Sequence, residues 1–186
     1  NGVIDASLVP LWQDDQLEVL QGGNSAAQSG GAMGGSVLIE SPKQTRTGFS
    51  GNLGLEAASF EAKAVQGSLQ YGTPVFSSRI RLNWQQAENN FPIKKTGLNG
   101  QSFSTRQQNN FGEKADVQQF NRLIINKKNI IKTAVWFQNA FRRIPPALTE
   151  SLADTWQRDR ASRSIASWEF SPKQQARLQT RLGWQD

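Results

Sequence analysis

Residues 174–186 read QQARLQTRLGWQD. Ala176, Leu178, Thr180, Leu182 and Trp184 share one parity, and Gln175, Arg177, Gln179 and Arg181 share the other. A period of two puts each set on its own face of an extended strand. The pattern recurs upstream, where Ile80, Leu82 and Trp84 alternate with Arg79, Arg81 and Asn83. Working outward from these stretches, strands are expected at about 50–60, 63–73, 76–88, 116–128, 130–143, 160–170 and 174–186. Such runs exceed the ~5–6 residues usual in soluble sheets. They match the ~9–11 residues with which a tilted strand crosses a bilayer.

The punctuation agrees. Pro42, Pro74, Pro92, Pro145, Pro146 and Pro172 all fall in the expected connections, where a missing N–H breaks no ladder. Thr73-Pro74-Val75, Asn126-Lys127-Lys128-Asn129 and Ser171-Pro172-Lys173 read as tight turns. Residues 89–115 and 144–159 read as long loops, although the step from Ser59 to Lys63 is short. Short turns at one end and long loops at the other are the pattern of an outer-membrane barrel. Trp84, Trp136, Trp168 and Trp184 lie in or near the ends of strands, as aromatic girdles require. The expected fold is therefore all-β, a partial transmembrane antiparallel β-barrel of about seven strands.

Composition narrows the chemistry. The chain has 186 residues with no Cys and no His. A Cys/His zinc site, a Cys nucleophile and a His-dependent triad are excluded within it. No apolar run approaches the ~20 residues of a spanning helix. Before Lys43 there are five acids, Asp5, Asp14, Asp15, Glu18 and Glu40, and no base, a charge of −5. The remaining 21 bases and 10 acids give +11. A basic balance raises the question of nucleic acid. Here the cations alternate along strands or sit in turns without a recognised binding motif, so no nucleic-acid partner is expected.

The first 42 residues have a different texture. Leu17 to Leu20 and Ser36 to Ile39 read as short strands, and Gly22 to Gly35 between them holds six glycines in fourteen residues. Such a loop passes through tight geometry and lets neighbouring chains approach closely. It is no phosphate cradle, since no Gly-Lys-Ser/Thr ending follows. Ser25 has no His or matching base and does not sit in a nucleophile elbow. Asp154 and Asp159, flanking Trp156 and Arg158, read as solvated loop charge. No catalytic residue, cofactor or metal site is expected.

The stretch IDASLVPLWQDDQLEVLQGGNSAAQSGGAMGGSVLIESP, Ile4 to Pro42, resembles the C-terminal end of the plug domain of TonB-dependent receptors. Glu18, Val19, Leu20, Gly22, Ser25, Ala26, Gly30, Ala32, Gly34, Gly35, Val37 and Ile39 stand where that family's pattern has matching residues. Gln16 and Gln21 stand where the family usually has Arg. The charge split suggests a replacement: Asp14, Asp15 and Glu18 set against inward-facing Arg79, Arg81, Arg177 and Arg181. ENNFPI (Glu88 to Ile93), RQQNNF (Arg106 to Phe111) and FRRIPPALTES (Phe141 to Ser151) further resemble cobalamin-receptor-like members. The 89–115 loop carries only Glu113 as an acid, unlike the Asp-rich calcium loops of the best-known cobalamin receptors.

The resemblance implies residues 1–42 as the end of a plug and residues 43–186 as the first strands of an incomplete barrel. It implies an outer-membrane importer of a scarce large nutrient, a corrinoid or an iron-siderophore complex, and not an enzyme. The partners it implies are the TonB energy-coupling protein, touching a segment outside these 186 residues, outer-membrane lipid and the extracellular nutrient. Phe91, Phe103, Phe111, Trp156 and Arg158 are candidate ligand contacts, because aromatics in polar loops can stack on a flat macrocycle. A small structural or adhesin-type barrel, a soluble β-sandwich binding module and an importer of the polysaccharide-utilisation type remain as alternatives.

Overall fold

The structure is a computed structural model that describes residues 12, 15–21, 35–40, 47–97, 100–146, 154–173 and 176–186. The chain divides into two compact units, Asn1–Gln44 and Thr45–Asp186.

In the first unit, β1 (Gln16–Gln21) pairs antiparallel with β2 (Gly35–Glu40). Leu17 stands opposite Ile39 and Val19 opposite Val37, so these exposed apolar side chains share one face. Gly22, Ser25, Gly30, Gly34 and Asp14 lie outside the described residues.

The second unit is one seven-stranded antiparallel sheet with the order β11-β10-β9-β8-β5-β4-β3, plus a separate β6-β7 pair. The elements are β3 (Gly48–Ala58), β4 (Ala62–Gly72), β5 (Phe76–Ala87), β6 (Pro92–Thr96), β7 (Ser102–Arg106), β8 (Gly112–Asn126), β9 (Asn129–Ile144), β10 (Thr155–Lys173) and β11 (Ala176–Gln185). Every strand of the large sheet pairs with its chain neighbour, except that β5 meets β8 across the β6-β7 insertion.

Three expectations need correction. Residues 89–115 are not all loop: they contain the β6-β7 hairpin, with Pro92 as the first residue of β6, where no ladder donor is lost. β9 and β10 reach further than expected, pairing from Thr155 opposite Ile144 onward and leaving 145–154 as the connection. Pro172 is inside β10, at a register irregularity between Phe170 and Lys173, so the turn falls after Lys173. A bulge is where a sheet accommodates proline.

The register sorts side chains onto two faces. Row after row, Asn52, Ser68, Arg81, Gln118, Trp136, Arg163 and Gln185 line up across all seven strands. One strand position along, Leu53, Gly67, Leu82, Val117 and Phe137 line up on the opposite face. Burial is inverted with respect to a water-soluble protein. Among the described residues, only Trp12 and Ala140 are buried apolar side chains, while Arg79, Arg81, Asn83, Lys114, Asp116 and Gln118 head a longer set of buried polar ones. Arg81 is 1% exposed and its neighbour Leu82 is 50% exposed. A sheet with water on one side normally buries its apolar face.

Candidate functional site: a buried polar face and a long-loop end

The polar face is held by side-chain pairs across the ladder. Arg79 Nε and Nη2 donate to Gln70 Oε1 at 3.0 and 2.7 Å. Asn83 Nδ2 donates to Asp116 Oδ2 at 2.7 Å, both groups being buried. Asn52 Oδ1 accepts from the Ser68 N–H and Oγ–H, at 3.1 and 2.7 Å. Lys132 pairs with Glu169. Arg142 donates twice to Gln157 Oε1, and Gln157 Nε2 donates onward to Asp159. Two cations lie over rings: Arg163 4.5 Å from the Trp136 centroid and Arg81 5.8 Å from that of Phe120. Charges removed from water need such partners; this face supplies many of them, while Ser77 Oγ, Asn83 Oδ1 and Asp116 Oδ1 are buried without a hydrogen bond from a described residue.

The apolar face carries aromatic rings towards both of its ends. Towards the short-turn end, Phe49 and Tyr71 lie 4.7 Å apart, Trp168 stacks on Phe170 at 5.9 Å, and Trp168 Nε1 donates to Asn129 Oδ1 at 3.0 Å. Towards the long-loop end, Phe141 lies 6.2 Å from Phe111 and 6.0 Å from Trp156, with the Arg158 guanidinium 5.3 Å over its ring. Trp84 Nε1 donates to Glu113 Oε1 at 2.9 Å. Between them Leu53, Val65, Leu69, Leu82, Val117 and Phe137 are exposed. The band is interrupted by Ser78, Gln119, Asn121 and Thr133, which satisfy one another: Gln119 donates to Ser78 and Asn121, and Asn121 to Thr133.

At the long-loop end, asparagines tie the connections together. Asn89 Nδ2 donates to Asn110 O at 3.1 Å and Asn110 Nδ2 to Asn89 O at 3.2 Å, closing the base of the β6-β7 insertion. Asn109 Nδ2 bridges Ile144 O at 2.8 Å and Thr155 O at 3.2 Å, fastening the end of β9 to the start of β10. Asn89 and Asn109 adopt positive φ, 51° and 52°, a conformation Asn tolerates better than most residues.

The five candidate ligand contacts do not converge. Phe111, Trp156 and Arg158 gather on Phe141, on the apolar face. Phe91 packs edge-on against Phe60 of the β3-β4 turn at 6.1 Å. Phe103 is in β7, 53% exposed. Of the four tryptophans expected in aromatic girdles, Trp84, Trp168 and Trp184 share the apolar face, whereas Trp136 shares the polar face beneath Arg163. Arg79 and Arg81 are buried on the polar face; Arg181, opposite Ser167, shares it but is exposed. Glu18 is exposed in β1 and Gly35 opens β2. Phe141, Phe60 and Asn109 were not singled out by sequence; the Asn109-Asn110 pair ahead of Phe111 is the signal that marks the last. Among the described residues no group of acids could hold a metal ion.

No family model matches the chain, and no curated protein matches it.

Proposed function

We propose that this chain is part of a TonB-dependent outer-membrane receptor, the end of a plug followed by the first seven strands of the barrel wall. The observation that carries the reading is the inverted sheet: a buried polar face, an exposed apolar face, and aromatic rings near both ends of the apolar one. In lipid the solvent contacts the outside of a barrel, so apolar side chains face out and polar ones line the lumen. Further strands would pair with the free edges of β3 and β11, because open ladder edges do not occur in hydrocarbon. A soluble sandwich would instead cover its apolar face with a second sheet.

On this reading the polar face is lumenal wall and the β6-β7 end faces outward. A wide barrel leaves an aqueous lumen, which a plug must block at rest. The plug resemblance of Ile4 to Pro42 supplies that part, and an inner-membrane energy-coupling protein would act on it. The imported nutrient is a corrinoid or an iron-siderophore complex, met first by the exposed loop aromatics Phe91 and Phe103. Phe111, Trp156 and Arg158 belong to the outer aromatic girdle. The test is uptake by cells carrying the complete receptor, supplied with labelled cobalamin or a ferric siderophore. Accumulation should vanish when the energy-coupling protein is deleted. Energy-independent accumulation, or none of either nutrient, would overturn the reading.

A further inference from the structure

We propose that the long-loop end of the apolar face binds a bisphosphorylated glycolipid, with Arg143, Arg158 and Arg160 holding its phosphates. This rests on the membrane reading above. Arg158 stands opposite Phe141 and Arg143 opposite Trp156, which puts the two arginines diagonally adjacent on one face; Arg160, opposite Asn139, follows two residues along the same strand. Same-face neighbours are ~7 Å apart along a strand and ~7–8 Å on the diagonal. All three side chains are exposed, and none forms an ion pair with a described residue. Two acids share this face: Glu113, engaged by Trp84, and Asp186, whose backbone pairs with Ser162.

An unpaired guanidinium facing lipid is unfavourable, and less so near the interface. A phosphate partner removes that cost through charge-assisted, bidentate hydrogen bonds. Arg158 is already arranged for this. Its guanidinium carbon lies 5.3 Å from the Phe141 ring centroid, and it donates no hydrogen bond to a described residue, which leaves its N–H fork for an anion. Cations spread over several ladder positions suit two phosphates on one rigid headgroup better than the single phosphate of a glycerolipid. Arg160 also sits at a groove of about 440 Å³, lined on this face by Ala115, Val117, Phe137, Asn139, Ser162 and Asp186. Ala115, Val117 and Phe137 make its apolar part a seat for an acyl chain. The long-loop end of an outer-membrane barrel faces the outer leaflet, where such glycolipids reside.

The test uses the complete receptor folded into vesicles of brominated phosphatidylcholine, titrated with lipid A and followed by native mass spectrometry. Arg143→Gln/Arg158→Gln/Arg160→Gln should bind lipid A about a hundred-fold more weakly. The control Arg122→Gln, at the short-turn end of the polar face, should bind as the parent does. Monophosphorylated lipid A and phosphatidylglycerol should each bind the parent at least about ten-fold more weakly than lipid A. Unchanged affinity in the triple variant, or equal affinity for phosphatidylglycerol, would overturn the site. Quenching of tryptophan fluorescence by the brominated chains is read on every sample. Quenching with unchanged lipid A affinity sinks the glycolipid site alone; absence of quenching sinks the membrane reading and this proposal with it.

Discussion

Asn83 and Asp116 carry the problem that the buried residues of the polar face share. Asp116 is 2% exposed, and its Oδ2 accepts from Asn83 Nδ2 at 2.7 Å. Asn83→Leu would take away that donor and leave the carboxylate without a hydrogen bond from any described residue. The expected loss is about 2 kcal/mol of stability, read as a lower urea midpoint for unfolding of the complete receptor from vesicles, with Gln85→Leu as the exposed comparison on the same strand. Parity alone placed residues of this kind. Arg79, Arg81 and Asn83 could be assigned to one face from the alternation around Leu82. Their burial could not, because a polar face reads as solvated until the sheet pairing is known. Trp136 escaped for a related reason: tryptophan at a strand position suits a girdle, and only the register with Arg163 puts it on the polar side.

At the scale of elements, the ends of strands were less legible than their middles. Residues 155–160, TWQRDR, carry charge on both parities and read as loop. They pair with β9 nonetheless; on the proposed membrane reading, a strand that projects beyond the bilayer meets water on both sides and loses its alternation. The β6-β7 hairpin was hidden likewise, its short strands being Lys- and Ser-rich with no apolar parity. The asparagine bridge is the element-scale feature open to experiment. Asn109→Ala removes two hydrogen bonds, to Ile144 O and Thr155 O, and puts a β-carbon-bearing residue less tolerant of φ 52° at the site. Local opening should become easier by about 1–3 kcal/mol. Hydrogen exchange of amides in residues 142–144 and 155–157 should speed up, while exchange at the β8-β9 turn stays unchanged. Equal acceleration at both ends would contradict a local clamp.

At the scale of the whole sheet, the described residues expose an apolar face and bury polar side chains, and that yields a comparison between solvents. Leu82 is 50% exposed at mid-strand, among Gly67 and Val117. In water Leu82→Arg would change stability within about 0.5 kcal/mol, as exposed substitutions generally do. In a bilayer it should cost about 2–4 kcal/mol, the penalty for a lipid-facing cation near the midplane. Denaturant titration in vesicles measures the difference, and a neutral Leu82→Arg there would argue for an aqueous face. The seven strands and their all-β class followed from periodicity, turn residues and proline positions. The two-unit division falls at Gln44, close to the change in texture and charge near Pro42. The ligand residues did not follow, since aromatics serve loops, girdles and macrocycles alike and only the face they occupy separates these uses.

The β6-β7 insertion bears on how the sheet assembles in time. Five of its six strand pairings join chain neighbours and can zip up one hairpin after another. The pairing of β5 with β8 must first bring together chain ends separated by residues 88–111. Closure entropy grows with the logarithm of the free loop, and pairings distant in sequence are the slow ones. A hairpin that forms early, with Asn89 and Asn110 gripping each other's backbone, shortens that loop before the strands meet. The insertion thus acts as a splint, carrying the growing sheet across its widest gap.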